Sequence, residues 1–109
     1  MNDRDRQTLL DIINSANLSD RYLSGKTQTD FEGDRMLQDA IVRRLEIVGE
    51  AATRLSDEAR QTLSHLPWRQ IVGMRNIMIH QYDRVDLKLV WDTATQVLPQ
   101  LARNLASYL

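Results

Sequence analysis

The sequence predicts an all-α fold, an up-and-down bundle of four long helices plus a short one. Apolar residues recur at intervals of three and four along most of the chain, which is the period of an amphipathic helix. No segment shows the period-two alternation of a half-buried strand. The stretches between the periodic segments are short, as they are in helical bundles.

Length and composition predict one compact domain, residues 1–109. The chain is 42% hydrophobic, enough for a modest core that a second copy would enlarge. It contains no cysteine, so disulfides and thiolate metal sites are excluded. The charged first residues do not resemble a signal peptide, and no apolar run approaches the roughly 20 residues that span a bilayer. We therefore expect a soluble, cytoplasmic protein. Its net charge of −1 gives no overall positive field to attract nucleic acid.

The first helix is predicted over Asp3–Leu23, and Gly25 is a natural stop after it. Residues 27–33 are polar and are expected to form a connection. Thr29 and Glu32 also match a capping box, which would start the second helix early. The apolar positions expected to face the core from the first helix are Leu9, Leu10, Ile13, Ala16 and Leu23.

Two helices are predicted between the first connection and Pro67. The second helix carries a long apolar stripe, formed by Met36, Leu37, Ala40, Ile41, Leu45, Val48, Ala52 and Leu55. Ser56 is a suitable N-cap for a short third helix that runs to about Leu66, with acidic residues in its first turn.

The last helix is predicted from Leu87 to about Ser107, with Asp86 as its cap. Pro99 interrupts this run and should bend the helix or shift its register. The positions expected to face inward are Leu87, Val90, Trp91, Ala94, Val97, Leu98, Leu101, Leu105 and Tyr108.

The fourth helix, residues 67–82, is the most apolar segment and holds the most unusual polar residues, Arg75, Asn76 and His80. A helix that is apolar nearly all round must be covered on most sides, and a small bundle has few faces to cover it. We therefore expect a C2 homodimer built largely on this helix and on parts of the second helix. Polar groups buried there need partners or a shared cavity.

The spacing of these polar residues restricts how they can meet. Asn76 and His80 are four apart and are neighbours on one face of a helix. Arg75 and Tyr82 are about 20° apart around the axis, whereas Arg75 and His80 differ by about 140°, so one straight helix cannot aim all four side chains at one point. Either the helix ends near His80 and the chain turns, or two copies face each other and complete the site between them.

The available side chains favour metal-independent cleavage of RNA. The sequence has no Gly-flanked Ser elbow, no phosphate-binding Gly-rich loop and no His pair with metal-ligand spacing. Because the 2′-hydroxyl of RNA is an internal nucleophile, the protein needs only to move protons and stabilise a phosphorane. His80 can act as acid or base near neutral pH, and Arg75 can hold phosphate oxygens. The more common role of a lone His and Arg near a helix end is capping or interhelical hydrogen bonding.

Glu46 and Glu50 are four apart on the second helix. Without a matching His pair they are interpreted as salt-bridge residues near Arg43, Arg44 and Arg54. Of the two, Glu50 is the better candidate for supporting the site, with Arg43 and Arg44 as further possible supporting residues.

The pattern Arg75-Asn76-x3-His80-x-Tyr82 resembles the signature of HEPN-domain ribonucleases, specifically the HepT toxin subfamily. The resemblance extends upstream through residues 38–52 and 67–69, and downstream through 85–86 and 90–91, so it covers most of the chain. Arg-x4-His alone is weak evidence, but with these flanks the match is specific.

This resemblance implies a HEPN-like endoribonuclease, the toxin of a type VII toxin–antitoxin system, with its cleft at the interface of a homodimer. It implies Arg75, Asn76 and His80 as catalytic residues, with no metal and no cofactor. It also implies that an MntA-like minimal nucleotidyltransferase antitoxin silences the toxin by AMPylation of Tyr82. The alternative is a non-catalytic dimeric helical module, whose Arg75, Asn76 and His80 only bind a nucleotide or a nucleotidyltransferase.

Overall fold

The computed structural model describes residues 1–80 and 86–109, with the backbone alone at 76–80. The described residues form helices and no strand, which confirms the predicted all-α class. No helix in these ranges is long and apolar enough to cross a membrane. The helices are α1 (Asp3–Leu23), α2 (Gln28–Glu32), α3 (Arg35–Thr53), α4 (Asp57–Thr62), α5 (Trp68–His80), α6 (Leu87–Asp92) and α7 (Leu98–Ala106), with a π-helical turn at Thr93–Val97 between the last two.

The long helix α3 lies between α1 and α5, and α7 packs against α1. α1 and α3 run antiparallel, since Ser15 near the middle of α1 donates its hydroxyl to the carbonyl of Arg44, while Asp5 near the start of α1 meets Ser56 beyond the end of α3. Gly25, just after α1, has a φ of 73°, a left-handed conformation that favours glycine. The first helix therefore has its predicted range and stop.

The core is built from the inward stripes of these helices. Its largest fully buried apolar side chains are Phe31, Leu9, Ile12, Ile41, Leu45, Leu63, Ile71, Leu98, Leu105, Val48 and Val90. Not every predicted position belongs to it: Leu10 is 41% exposed and Met36, at the start of α3, is 84% exposed. In α1, Ile12 is fully buried instead, because it is two residues from Leu10, about 200° around the helix axis, and so faces the opposite way, into the core.

The predicted connection at residues 27–33 contains the short helix α2, which corrects the prediction. Its capping box is formed by Thr27 and Asp30, not by Thr29 and Glu32: the Thr27 hydroxyl accepts from the Asp30 amide, and the Asp30 carboxylate accepts from the Thr27 amide. Hydrogen bonding of the Asp30 carboxylate to the Thr27 amide, and secondarily to the Thr27 side chain, lowers the pKa of Asp30. One turn of helix is enough to bury Phe31, whose ring lies 5.7 Å from that of Trp91.

The start of α4 is tied to α1 through a buried carboxylate. Ser56 caps α4 by accepting from the Ala59 amide, as predicted. The Ser56 amide and hydroxyl also donate to the two carboxylate oxygens of Asp5, at 3.0 and 2.6 Å. Asp5 is only 2% exposed, and these bonds lower the pKa of its carboxyl despite burial, which acts in the opposite direction. α4 ends at Thr62 rather than near Leu66, although Leu63 and Leu66 are still buried.

The C-terminal run is interrupted near Pro99, as predicted, and the interruption takes the form of the π-helical turn. The Leu98 amide donates to the carbonyl of Thr93, five residues back, and Pro99 sits at the start of α7. This wider turn changes the register, so Val97 is 42% exposed while Leu98 is fully buried. The prediction that Val97 faces inward is therefore wrong. Asp86 caps α6 through the Leu89 amide, as predicted.

Candidate active site

The helix that carries the candidate residues, α5, is anchored at its start by Trp68. The Trp68 indole N–H donates to the carbonyl of Leu63 at 2.9 Å, which ties α5 to the turn that precedes it. Ile71 and Met74 then bury their side chains in the core, with exposures of 1% and 6%. The first half of α5 is therefore fixed by packing on α3.

Arg75 lies where α5 crosses α3 at very short range. A Cβ atom added to Gly49 of α3 would lie 2.7 Å from the backbone nitrogen of Arg75 and 2.9 Å from its Cβ. Only a residue without a side chain permits this approach. The backbone of Arg75 is thus held directly against α3, one turn beyond Ile71.

The Arg75 side chain is partly buried and keeps unused hydrogen-bonding capacity. Its Nε is buried without a hydrogen-bond partner in the described part of the chain. No carboxylate among the described side chains forms a salt bridge with its guanidinium, although other arginines are paired in this way. A guanidinium that no described carboxylate neutralises is suited to bind an anion, and its planar donors match the geometry of phosphate and carboxylate groups.

Asn76 and His80 belong to the same helix, since α5 extends to His80. Their Cα atoms are four residues apart on a helical backbone, which is the spacing expected of neighbours on one face. Their side chains lie outside the described part of the structure. Tyr82 also lies outside the described residues. The catalytic roles of Arg75, Asn76 and His80 and the modification of Tyr82 therefore stay predictions.

The predicted supporting residues are distributed along α3. Glu50 follows Gly49 and is half-buried, and its carbonyl accepts from the Thr53 hydroxyl. Arg43 pairs with Glu46 at 3.2 Å on the surface of the same helix. No described contact brings either of these side chains, or that of Arg44, to Arg75. Arg54, expected near the acidic pair, instead lies 4.0 Å from Asp11.

Gly49 is the site residue for which sequence reasoning gave no role. A glycine inside a long helix of good helix formers costs about 1 kcal/mol relative to alanine, so it usually has a packing or functional reason. The presence of this glycine inside a predicted helix was therefore the only indication of its role in the sequence. The identity of the partner, Arg75, could not be read from the sequence because the two residues come together only when α3 packs on α5.

In the described ranges, no three His, Cys, Asp or Glu side chains are close enough to hold a metal ion. The described residues form an all-α arrangement in which Arg75, at a close helix crossing, has no salt bridge to a described carboxylate, and the same helix continues through Asn76 and His80.

Comparison with known proteins gives the family. The model of the family described as "Ribonuclease HepT-like" matches residues 12–107. The chain therefore belongs to the HepT-like ribonucleases, and the predictions of a HepT-like chain and of a ribonuclease are confirmed. None of the solved structures compared with the chain matches it significantly.

Three relatives illustrate the match. A Methanocaldococcus jannaschii protein provisionally named an RNase is 32% identical over 95% of this chain and 96% of its own length. The probable ribonuclease HepT of Thermococcus cleftensis is 32% identical over 85% of this chain and 84% of its own. A second M. jannaschii protein, named a gamma-glutamylcyclotransferase and provisionally an RNase, is 39% identical over 86% of this chain. The chain spans only 42% of that longer protein.

Proposed function

We propose that the chain is a metal-independent endoribonuclease that acts in the cytoplasm as the toxin of a type VII toxin–antitoxin system. Its membership of the HepT-like ribonucleases supports the reaction class. The observation that carries the proposal for this chain is Arg75, held against Gly49 with its guanidinium unpaired among the described residues.

In the proposed reaction the RNA 2′-oxygen attacks the adjacent phosphorus. His80 of one copy accepts the 2′-hydroxyl proton, and a pentacoordinate phosphorane forms. The bond from phosphorus to the 5′-oxygen then breaks, and His80 of a second copy donates a proton to that leaving oxygen. The products are a 2′,3′-cyclic phosphate and a 5′-hydroxyl. Arg75 donates to the phosphorane oxygens, and Asn76 orients the imidazole.

The need for two imidazoles supports a composite site in a homodimer. On one helix, the directions of His80 and Arg75 differ by about 140°, so both cannot face the same phosphate. A second copy of α5 is the simplest way to bring an Arg75 and a His80 to one phosphate. Glu50, Arg43 and Arg44 would contribute at most indirectly, through the position of α3 and the charge around the cleft.

Cleavage of a fluorescently labelled single-stranded RNA of mixed sequence, with EDTA present, tests the proposal. We expect wild type and His65→Ala to cleave, because His65 is the other of the two histidines and lies outside the proposed site. His80→Ala and Arg75→Ala should be inactive but folded by circular dichroism. Absence of cleavage by wild type would instead favour the non-catalytic helical module. Full activity of His80→Ala would overturn the role of His80, and activity that requires a divalent ion would contradict the metal-independent mechanism.

The regulatory part of the proposal concerns Tyr82, two residues beyond His80. A cognate nucleotidyltransferase would transfer AMP from ATP to the Tyr82 oxygen, with release of pyrophosphate and loss of the hydroxyl proton. The added phosphate and nucleoside would then occupy the phosphate-binding position beside Arg75 and His80 and exclude RNA.

Intact-mass measurement after co-expression with the neighbouring nucleotidyltransferase gene tests this step. We expect added AMP on wild type and on Tyr22→Phe, which removes a different tyrosine, one that is 39% exposed. No AMP should appear on Tyr82→Phe, which should still cleave RNA. An unchanged wild-type mass, or AMP on Tyr82→Phe, would refute the assignment.

A further inference from the structure

The crossing of α3 and α5 is closer at Gly49 than any residue with a side chain allows. The two nearest atoms across it are the backbone nitrogen and the Cβ of Arg75, at 2.7 and 2.9 Å from an added Cβ. Neither atom can be moved by choosing another side-chain rotamer, because both are fixed to the backbone of α5. Any side chain at position 49 must therefore displace the Arg75 backbone itself.

Gly33, which follows α2, and Gly73, within α5, lack this relationship. A Cβ at Gly33 would make ordinary contacts of 3.6 and 3.8 Å with backbone oxygens of α2. A Cβ at Gly73, on α5 itself, would meet nothing within 4 Å in the described part of the chain. The close approach is therefore specific to the one glycine that faces Arg75.

We propose that Gly49 is a positioning residue for RNA cleavage. Because it has no side chain, the Arg75 backbone lies directly against α3, and this distance between the helices determines where the Arg75 guanidinium is placed. This inference rests on the proposed function of Arg75 as the phosphate-binding group. The Arg75 Nε is buried, so the side chain is constrained along its aliphatic stem as far as the guanidinium. A shift of the α5 backbone is consequently carried to the guanidinium rather than absorbed by rotation of the side chain.

The effect on the reaction should fall on the chemical step. A displaced Arg75 keeps its charge and still attracts the RNA phosphate, so KM should change little. Its donors would no longer align with the phosphorane oxygens, and misplacement by about 1 Å can cost on the order of 100-fold in rate. We expect Gly49→Ala to lower kcat by about 10- to 100-fold while KM stays within about threefold of wild type.

Gly49→Ala is compared with two control variants and with Arg75→Ala on the labelled RNA in EDTA. Gly33→Ala makes the same chemical change where space permits it. Ile12→Val removes one buried methylene from α1 and lowers stability away from the crossing. Both controls should keep the wild-type kcat, and all variants should show helical circular dichroism. Overpacking by a single methyl is usually tolerated by a folded domain.

The outcomes separate the two proposals. An inactive Arg75→Ala with a wild-type kcat for Gly49→Ala would overturn the role of Gly49 and leave the proposed function standing. A fully active Arg75→Ala would overturn the proposed function of Arg75 and this inference with it. Equal losses of kcat in Gly49→Ala and Ile12→Val would show an effect of stability and would overturn the positioning role. So would a Gly49→Ala chain that does not fold, since the bundle rather than the arginine would then require the glycine.

Discussion

At the scale of single residues, Asp5 shows how a buried charge is accommodated in this bundle. Its carboxylate accepts hydrogen bonds from the hydroxyl and the amide of Ser56. The Ser56 hydroxyl in turn accepts a hydrogen bond from the Ala59 amide in the first turn of α4. One residue of α1 thereby fixes the cap of another helix. A buried carboxylate without such donors would be strongly destabilising.

Asp5→Asn should lower the free energy of unfolding at pH 7 by about 1–3 kcal/mol, because the neutral side chain of asparagine cannot accept charge-assisted hydrogen bonds from Ser56. Asp3→Asn is the matched control, since Asp3 shares the first turn of α1 but is exposed. Its loss should be limited to the helix-dipole contribution of about 0.3–1 kcal/mol. Urea unfolding of the three proteins measures both differences.

The same contact predicts a pH dependence. The pKa of Asp5 is lowered in the folded state, chiefly by the Ser56 hydroxyl and amide. Its stabilisation is therefore complete above the unfolded-state pKa of about 3.9 and is lost as the pH falls through the lower folded-state value. The stability difference between wild type and Asp5→Asn should narrow below about pH 4. A difference that stays constant from pH 7 to pH 3 would contradict this assignment.

At the scale of the elements, the π-helical turn determines which side of the C-terminal helix enters the core. Val97 and Leu98 are adjacent, yet only Leu98 is buried. Leu98→Ala should cost about 2–5 kcal/mol of stability, whereas Val97→Ala should change it by no more than about 0.5 kcal/mol. Urea unfolding of this matched pair tests the register. Comparable large losses in both variants would indicate an uninterrupted α-helical register.

These elements also show what the sequence could predict. Ser56 and Asp86 act within their own first turns, so their capping roles follow from local sequence. Pro99 predicts an interruption for the same reason, but the choice of a π turn depends on contacts with the rest of the core. Phe31 gave no signal because a five-residue helix is too short to show periodicity.

For the candidate site, the sequence predicted which residues take part but not the helix packing that holds Arg75 in place. Arg75, Asn76, His80 and Tyr82 follow from a local pattern and its family resemblance. The contact between Gly49 and Arg75 joins residues from two helices, and nothing in a single sequence pairs them. Arg43 was expected near the acidic residues of α3, and its pair with Glu46 follows the local spacing of three.

At the scale of the whole molecule, we predict a homodimer that covers α5. Gly73 is half-buried, and a side chain placed there would meet nothing within 4 Å in the described part of this chain. Gly73→Glu should therefore leave the fold intact but place a charge against the second copy, giving a monomer by light scattering at micromolar concentration. Gln61→Glu, which adds the same charge at an exposed position on α4, should remain dimeric.

Either of two results would contradict the predicted interface. A monomeric wild type would exclude a stable homodimer at that concentration. A dimeric Gly73→Glu would place the contact on a different face. Loss of RNA cleavage together with dimer loss, in a variant that is still helical, would support a site shared between two copies.

The most direct measurement compares one sequence as RNA and as its 2′-O-methyl derivative, both incubated with the wild-type protein in EDTA. If the 2′-oxygen is the nucleophile, only the unmodified RNA can be cleaved, because the methyl group removes the proton that His80 must accept. We expect cleavage of the RNA alone, with a 2′,3′-cyclic phosphate on the upstream product. Cleavage of the methylated strand, or cleavage of RNA only after a divalent ion is restored, would contradict a metal-independent ribonuclease built on Arg75 and His80.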